Sequence, residues 1–356
     1  MRAVCYDSFG GPLRVETLPD PAPSVHGVVV RVHATGLCRS DWHGWQGHDP
    51  DIRDFPHVPG HELAGTVVAV GADVRRFAPG DRVTVPFVCA CGTCTPCARG
   101  DAQVCDRQTQ PGFTHWGSYA ELVALHHADV NLVTLPDAMS FDTAASLGCR
   151  FATSFRAVVD QGRVHAGQWV AVFGCGGVGL SAIMIARALG ARPIAVDVSP
   201  AALVLAEHAG AELVFDARDA VSGAPSPSRS RAVRDAIREH TGGGADVSLD
   251  ALGSAGTARS ALEALRKNGR MVQVGLMAGA DANPPFPLHV LIARELEVVG
   301  SHGMAAHAYP RMLEMVASGR LDPASLVTRR LTLDEAPAAL ATMATAPFPG
   351  VTIINP

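Results

Sequence analysis

Residues 36–43, G-L-C-R-S-D-W-H, place a thiol, a guanidinium, a hydroxyl, a carboxylate and an imidazole within eight positions. A thiolate is a strong zinc ligand, so Cys38 close to Asp41 and His43 points to a metal site at which protons are moved. Three later segments carry related chemistry: Gly60-His61-Glu62, Gly148-Cys149, and the glycine run Gly174-Cys175-Gly176-Gly177-Val178-Gly179. Between them lies Cys91-x2-Cys94-x2-Cys97-x7-Cys105, on a stretch rich in Gly, Thr and Pro. Four thiolates close a tetrahedron around zinc and leave no open position, which marks a structural site. Cys89 fits that spacing less well and is read as a bystander.

These groups need elements to hold them. Residues 1–35 alternate apolar and polar in short runs such as Val28-Val29-Val30-Arg31-Val32-His33, broken by Pro19-Asp20-Pro21-Ala22-Pro23, which predicts short antiparallel strands. Residues 63–70 and 82–85 continue the pattern. From Trp169 the period changes. The apolar run 169–173 has buried-strand length, 180–189 reads as a helix ended by Gly190, and Pro193-Ile194-Ala195-Val196-Asp197 is a second strand. A glycine run between strand and helix, with an acid closing the next strand, is a dinucleotide fingerprint: glycine lets the backbone approach a pyrophosphate at the helix N-terminus. Strands at 213–215, 247–251, 271–274 and 296–299, with helices at 232–240 and 257–267, complete a doubly wound sheet of six strands. Residues 218–231 read as a polar surface loop. The tail from about Gly300 has helical stretches at 310–317 and 333–343 and ends in a strand at 351–354.

With 356 residues the chain fits two domains. Hydrophobic residues make up 47% and charged residues 18%, with no apolar run of membrane-spanning length, so no membrane partner is expected. A formal net charge of -5 argues against nucleic acid. The start reads as a strand, not a signal peptide, so a cytoplasmic location is expected and the nine cysteines are read as metal ligands or free thiols.

The order and spacing of these segments, over nearly the whole chain, resemble the zinc-dependent, medium-chain alcohol dehydrogenase family. The resemblance implies an α/β protein: a GroES-like, β-rich catalytic domain of residues 1–150 and 297–356, with the structural zinc lobe at 89–106, and a Rossmann NAD-binding domain of residues 151–296 inserted into it. It implies Cys38, His61 and Cys149 as protein ligands of a catalytic zinc with a fourth, open position, and Glu62 as a residue able to approach that metal. Asp41 matches the carboxylate that orients His61. Ser40 and His43 match a proton relay, in which the hydroxyl takes the alcohol proton and passes it through the cofactor ribose toward the imidazole. Arg39 matches a residue that meets the cofactor pyrophosphate. Thr153 matches a position beside the nicotinamide and Phe87 a wall of the substrate pocket. Trp116 is a second candidate wall, with a place in the core as its alternative. Gly174, Gly176, Gly177, Val178, Gly179, Asp197 and Val274 are the remaining cofactor contacts.

The expected activity is reversible hydride transfer between NAD and an alcohol with its aldehyde or ketone. The expected cofactors are two zinc ions per chain and NAD, and the expected assembly is a homodimer or homotetramer. Asp197 should accept the ribose hydroxyls, and no Arg or Lys in residues 198–202 would neutralise a 2′-phosphate. A polyol or amino-alcohol dehydrogenase of the same superfamily is the alternative within enzymes, although Cys149 stands where such relatives commonly carry an acid. A catalytically inactive nucleotide-binding protein with a structural or regulatory role is the alternative from another class.

Overall fold

The computed structural model of the chain describes residues 1–218, 227–277, 279–346 and 348–356. Two units emerge: Met1–Ala152 with Gly303–Pro356, and Thr153–His302.

The first unit is built on the strand Val28–Leu37, in which only Arg31 is exposed and His33 half-buried. It is so thoroughly buried because three strands pair with it, all antiparallel: Leu63–Val70, Leu122–Leu125 and Val351–Asn355. The last of these brings the chain's tail back, with Thr352 opposite Leu37. Thr35 opposite Leu63 lays His61 and Glu62 beside Gly36 and Leu37, and the Gly36 N–H donates to the Glu62 carbonyl at 2.7 Å. Val28, Val30, Val32, Leu63, Val67, Val83, Val123 and Leu125 form the core beneath. Truncating one of them, as in Leu63→Ala, should cost about 2–5 kcal/mol.

In the second unit six parallel strands run in the order Leu213–Asp216, Arg192–Asp197, Trp169–Phe173, Ala245–Asp250, Leu265–Gln273, Glu297–Gly300. Counted along the chain this is 3-2-1-4-5-6, the doubly wound arrangement, and its direction reverses between Trp169–Phe173 and Ala245–Asp250. The helix Gly177–Ala188 is buried from Gly179 through Ala186, which explains its lack of a polar stripe. It ends as the sequence predicts: Gly190 takes a φ of 79°, and the N–H of Ala191 donates to the Ala186 carbonyl at 3.0 Å.

Three details depart from the sequence reading. The helix expected at 257–267 is Ala255–Glu263, capped by Ser254, because Leu265 already pairs with Ala245 in the sheet. The loop expected at 218–231 gives way to a helix, Pro227–Thr241, while residues 219–226 lie outside the described residues. The strand Glu297–Gly300 pairs along its length with Leu265–Gln273, so the second unit extends to His302 instead of ending at 296. Among the described residues no helix is long and apolar enough to cross a membrane.

Candidate active site

Cys38, His61, Glu62 and Cys149 offer ligand atoms that all lie within 4.8 Å of one another. Each comes from a different constraint. Cys38 ends the central strand and caps the short helix Arg39–Trp45; His61 and Glu62 directly precede the strand Leu63–Val70. Cys149 sits in a π-helical turn, Leu147–Phe151, that continues the helix Phe141–Ser146. Such a turn inserts one residue and frees a carbonyl, a frequent device at functional sites. Within this turn the Gly148 carbonyl accepts the buried Tyr309 hydroxyl at 2.9 Å.

The donor set fits a divalent metal. His61 Nδ1 donates to Asp41 Oδ1 at 2.8 Å, while its Nε2 is buried without a hydrogen-bond partner. Hydrogen bonding from Cys149 holds the Cys38 thiol well below its ordinary pKa despite burial, and the same contact raises Cys149. Burial opposes a charge on His61, yet the Asp41 carboxylate and the Cys38 thiolate raise its pKa well above the ordinary value. Two sulfurs and an imidazole whose other nitrogen is engaged by a carboxylate are the donors that zinc takes.

Asp41 is buried and fully used. Its Oδ1 also accepts the Gly60 N–H at 3.0 Å, and its Oδ2 accepts the Cys38 N–H at 3.1 Å and the Tyr119 hydroxyl at 2.7 Å. Glu62 is equally occupied. Oε1 accepts the Arg150 backbone N–H at 3.0 Å and Nε–H at 2.9 Å, and Oε2 accepts Nη2–H. Burial raises the Glu62 pKa, and the guanidinium opposes it.

Ser40 and His43 lie on the helix Arg39–Trp45, both partly buried. His43 packs edge-on against Trp42, with ring centroids 5.0 Å apart, and its Nδ1 meets His48 Nδ1 at 2.9 Å. Burial, then the charges of Arg39 and His48, lower its pKa. Arg39 is exposed and stacks over Trp42 at 5.1 Å. Phe87 stands edge-on to His61 at 6.1 Å, and Phe113 is nearer, at 5.3 Å. Trp116 is elsewhere: its indole N–H donates to the Pro56 carbonyl at 2.8 Å and its ring packs on Ala3, Cys5, Val58 and Ala120. It also lines, with Phe113, His57, His115 and His126, a cavity of about 320 Å³ whose walls include none of the four clustered residues.

Cys91, Cys94, Cys97 and Cys105 likewise gather within 4.8 Å. Reciprocal hydrogen bonds between Cys89 and Thr109, at 2.8 and 2.9 Å, close the neck of this lobe, and Cys89 itself is buried in the core. Backbone N–H groups converge on sulfur, from Cys91 and Arg107 to Cys105 at 3.3 Å and from Thr93 to Cys91 at 3.5 Å. The Thr93 N–H leads in pulling the Cys91 thiol down to about 5.

In the second unit Gly174 takes a φ of 93°, and a Cβ on Gly179 would fall 1.8 Å from the Gly174 carbonyl. Above Gly176 there is nothing within 4 Å, and no side chain caps the helix that starts at Gly177. Open space over uncapped N–H groups is what an anionic ligand requires. Asp197 accepts the Cys175 N–H at 2.5 Å and the Ser199 N–H at 2.8 Å, so its carboxylate is fixed at the strand end. Thr153 has a buried hydroxyl without a partner, and the Val274 N–H donates to the Asp250 carbonyl at 3.1 Å.

Residues 24–137 match the alcohol dehydrogenase GroES-like domain and residues 177–318 the zinc-binding dehydrogenase family. An alcohol dehydrogenase of Rhizobium meliloti (strain 1021) is 34% identical over 325 residues, spanning 90% of this chain and 89% of its own. The chain belongs to the zinc-dependent, medium-chain alcohol dehydrogenase family. Alcohol dehydrogenase TADH from Thermus sp. ATN1 resembles this dehydrogenase with a TM-score of 0.88 at 33% identity, over 100% of this chain and 99% of that one. A structure described as an NAD-dependent alcohol dehydrogenase gives 0.87 at 32%, over 100% of both chains.

Several residues beside these clusters carry no signal in the sequence. Tyr119 and Arg150 join residues 78 and 88 positions away, and Phe113 and His48 stand next to marked residues only in space. In the second unit Asp250 accepts the N–H groups of Leu252 and Gly253, both at 3.0 Å, and the Gln273 amide at 2.9 Å, fixing two loops at the strand ends. Leu252 and Leu276 on those loops are exposed large apolar side chains. The only trace of them in the sequence is a leucine beside glycine at the end of each strand, in A-L-G and G-L-M.

Proposed function

We propose that the protein interconverts a small alcohol and its aldehyde or ketone, with NAD, at a zinc held by Cys38, His61 and Cys149. The observation that carries this reading is a buried set of two sulfurs and one unpartnered imidazole nitrogen, beside a carboxylate whose oxygens are already taken by Arg150. Three donors and one open position suit a catalytic zinc better than a structural one. Bound there, zinc supplies a Lewis acid that acidifies an alcohol hydroxyl, and NAD supplies the hydride acceptor.

The chain's own groups do the rest. Asp41 engages the Nδ1–H of His61, which leaves Nε2 as the nitrogen that would give its lone pair to a bound zinc. Phe87 and Phe113 exclude water beside that ring. The Ser40 hydroxyl takes the alcohol proton, and His43, kept neutral by its lowered pKa, accepts it further along. His43 then hands the proton from Nδ1 to His48, which is exposed. Gly174, Gly176, Gly177, Val178 and Gly179 receive the pyrophosphate, with Arg39 as its cation. Asp197 receives the ribose hydroxyls, Thr153 and Val274 border the nicotinamide, and Leu252 and Leu276 offer apolar cover.

A second, closed zinc belongs to Cys91, Cys94, Cys97 and Cys105. All nine cysteines are free, which supports a reducing, cytoplasmic setting. Leu288 and Ile292, exposed on one helix, and Val298 on the edge strand Glu297–Gly300 support a homo-oligomer joined at that sheet edge. Appearance of NADH with a panel of primary, secondary, aromatic and polyol alcohols tests the reading. Turnover with NAD exceeding that with NADP is expected, and no oxidation of any alcohol by the zinc-replete protein would overturn it.

A further inference from the structure

Arg150 follows Cys149 directly, and its contacts reach the neighbour of every other candidate ligand. Its Nη1–H donates to the carbonyl of Leu37, the residue before Cys38, at 3.1 Å. Its backbone N–H, Nε–H and Nη2–H all go to Glu62, the residue after His61. These partners lie 113 and 88 positions away in sequence, so one guanidinium ties the segment of Cys149 to the two that strand pairing already sets side by side. The space around the pair is closed. A Cβ on Gly36 would fall 2.0 Å from Glu62 Oε2 and 2.7 Å from Arg150 Nη2, and one on Gly148 would fall 3.0 Å from the Glu62 Cα. A planar fork of donors can serve all these acceptors at once, whereas an ammonium on a flexible stem cannot.

We propose that Arg150 is a positioning residue that locks the Cys149 segment onto the paired segments of Cys38 and His61 before the metal arrives and keeps the Glu62 carboxylate out of the open coordination position. The inference rests on the zinc reading above. An unpaired Glu62 has its charge within reach of the cluster, since its oxygen is among the atoms lying within 4.8 Å of one another. The ion pair removes that competitor, and the open position is left to the substrate.

The test uses the full-length protein and two variants, Arg150→Lys and the double variant Arg150→Met with Glu62→Gln. The double variant leaves no buried charge unpaired and so keeps a folded protein available if the single variant fails to fold. Zinc release to an excess of chelator is followed in time, with the four-cysteine lobe as an internal control. Zinc at the Cys38 cluster should leave about ten- to a hundredfold faster in both variants, with release from the lobe unchanged. A merely structural ion pair would instead lower the melting temperature and leave the two release rates in their original ratio. Visible absorption of the cobalt-substituted cluster gives a second readout: Arg150→Lys should change the spectrum as Glu62 enters the coordination sphere, and the double variant should not. Wild-type release rates in the folded double variant would overturn the inference while the zinc reading stands. A wild-type protein binding no metal at Cys38 would overturn that reading itself.

Discussion

His61 donates its Nδ1–H to Asp41 across 2.8 Å, and the Asp41 oxygen that accepts it also holds the Gly60 N–H at 3.0 Å, one residue before the histidine. The carboxylate therefore fixes both the ring and the backbone that carries it. Its other oxygen completes the cap of the helix Arg39–Trp45 through the Cys38 N–H. One side chain thus sets the orientation of two candidate ligands.

Asp41→Asn keeps the shape but replaces one acceptor oxygen with a donor, so two of the four groups that now donate to Asp41 would face an N–H. Zinc affinity at the cluster should fall about ten- to a hundredfold, and stability by about 1–3 kcal/mol. Tyr119→Phe removes a single donor and should cost less on both counts. Competition for zinc with a calibrated chelator, beside a denaturant titration, measures the two effects. Equal zinc affinity in wild type and Asp41→Asn would refute the orienting role.

Two zinc ions per chain are expected by elemental analysis, one from each cluster. Cys94→Ser should remove one zinc and lower the melting temperature while the cluster at Cys38 keeps its metal and turnover per folded chain persists. Cys38→Ser should remove the other zinc and abolish turnover with a smaller effect on melting. A single zinc in carefully metal-replete wild type would sink this assignment.

The relay makes a pH prediction. Burial first, then Arg39 and His48, lowers the His43 pKa, while the Cys38 thiolate works in the opposite sense. A lowered pKa keeps the imidazole neutral, and able to accept a proton, below its usual value of 6.5. Alcohol oxidation in wild type should therefore persist somewhat below that pH. His48→Gln removes one of the lowering influences and should shift the acid limb of the rate profile to higher pH. His43→Gln should slow oxidation about ten- to a hundredfold at neutral pH and recover at high pH, where hydroxide takes the proton. Superimposable profiles for wild type and both variants would rule out the path.

His115 should contribute to acid sensitivity. Its Nδ1 meets Thr114 Oγ1 at 2.9 Å, its Nε2 is shielded from solvent, and burial followed by the neighbouring His126 brings its pKa from 6.5 down to about 4. Between those values the unfolded chain binds a proton that the folded chain refuses, so the histidine's contribution to stability falls as pH drops from 6.5 toward 4 and is flat above 6.5. The melting temperature of wild type minus that of His115→Gln should shrink across that window. A difference independent of pH would show that the ring titrates normally.

The sequence by itself determined what is local. The four-cysteine lobe spans fifteen positions from Cys91 to Cys105, so its ligand set is written in spacing alone. The glycine cradle is legible for the same reason: strand, turn and helix follow one another, and Gly179 is required by the carbonyl of Gly174 five residues earlier. The catalytic cluster is legible only in part, through short motifs whose order matches a family. Tertiary structure decided the rest. Arg150 becomes the partner of Glu62 and Leu37, and Tyr119 of Asp41, only when the central strand pairs with Leu63–Val70 and the π-helical turn is laid beside them. Phe113, not Trp116, faces His61, although the two are three residues apart and carry similar apolar rings. The helix expected to run to Lys267 stops at Glu263 because a strand neighbour captures Leu265. Spacing and periodicity record which residues share a turn or a face. They do not record which distant donor will meet a buried acceptor, because that pairing is selected by burial and geometry after the strands have found their register.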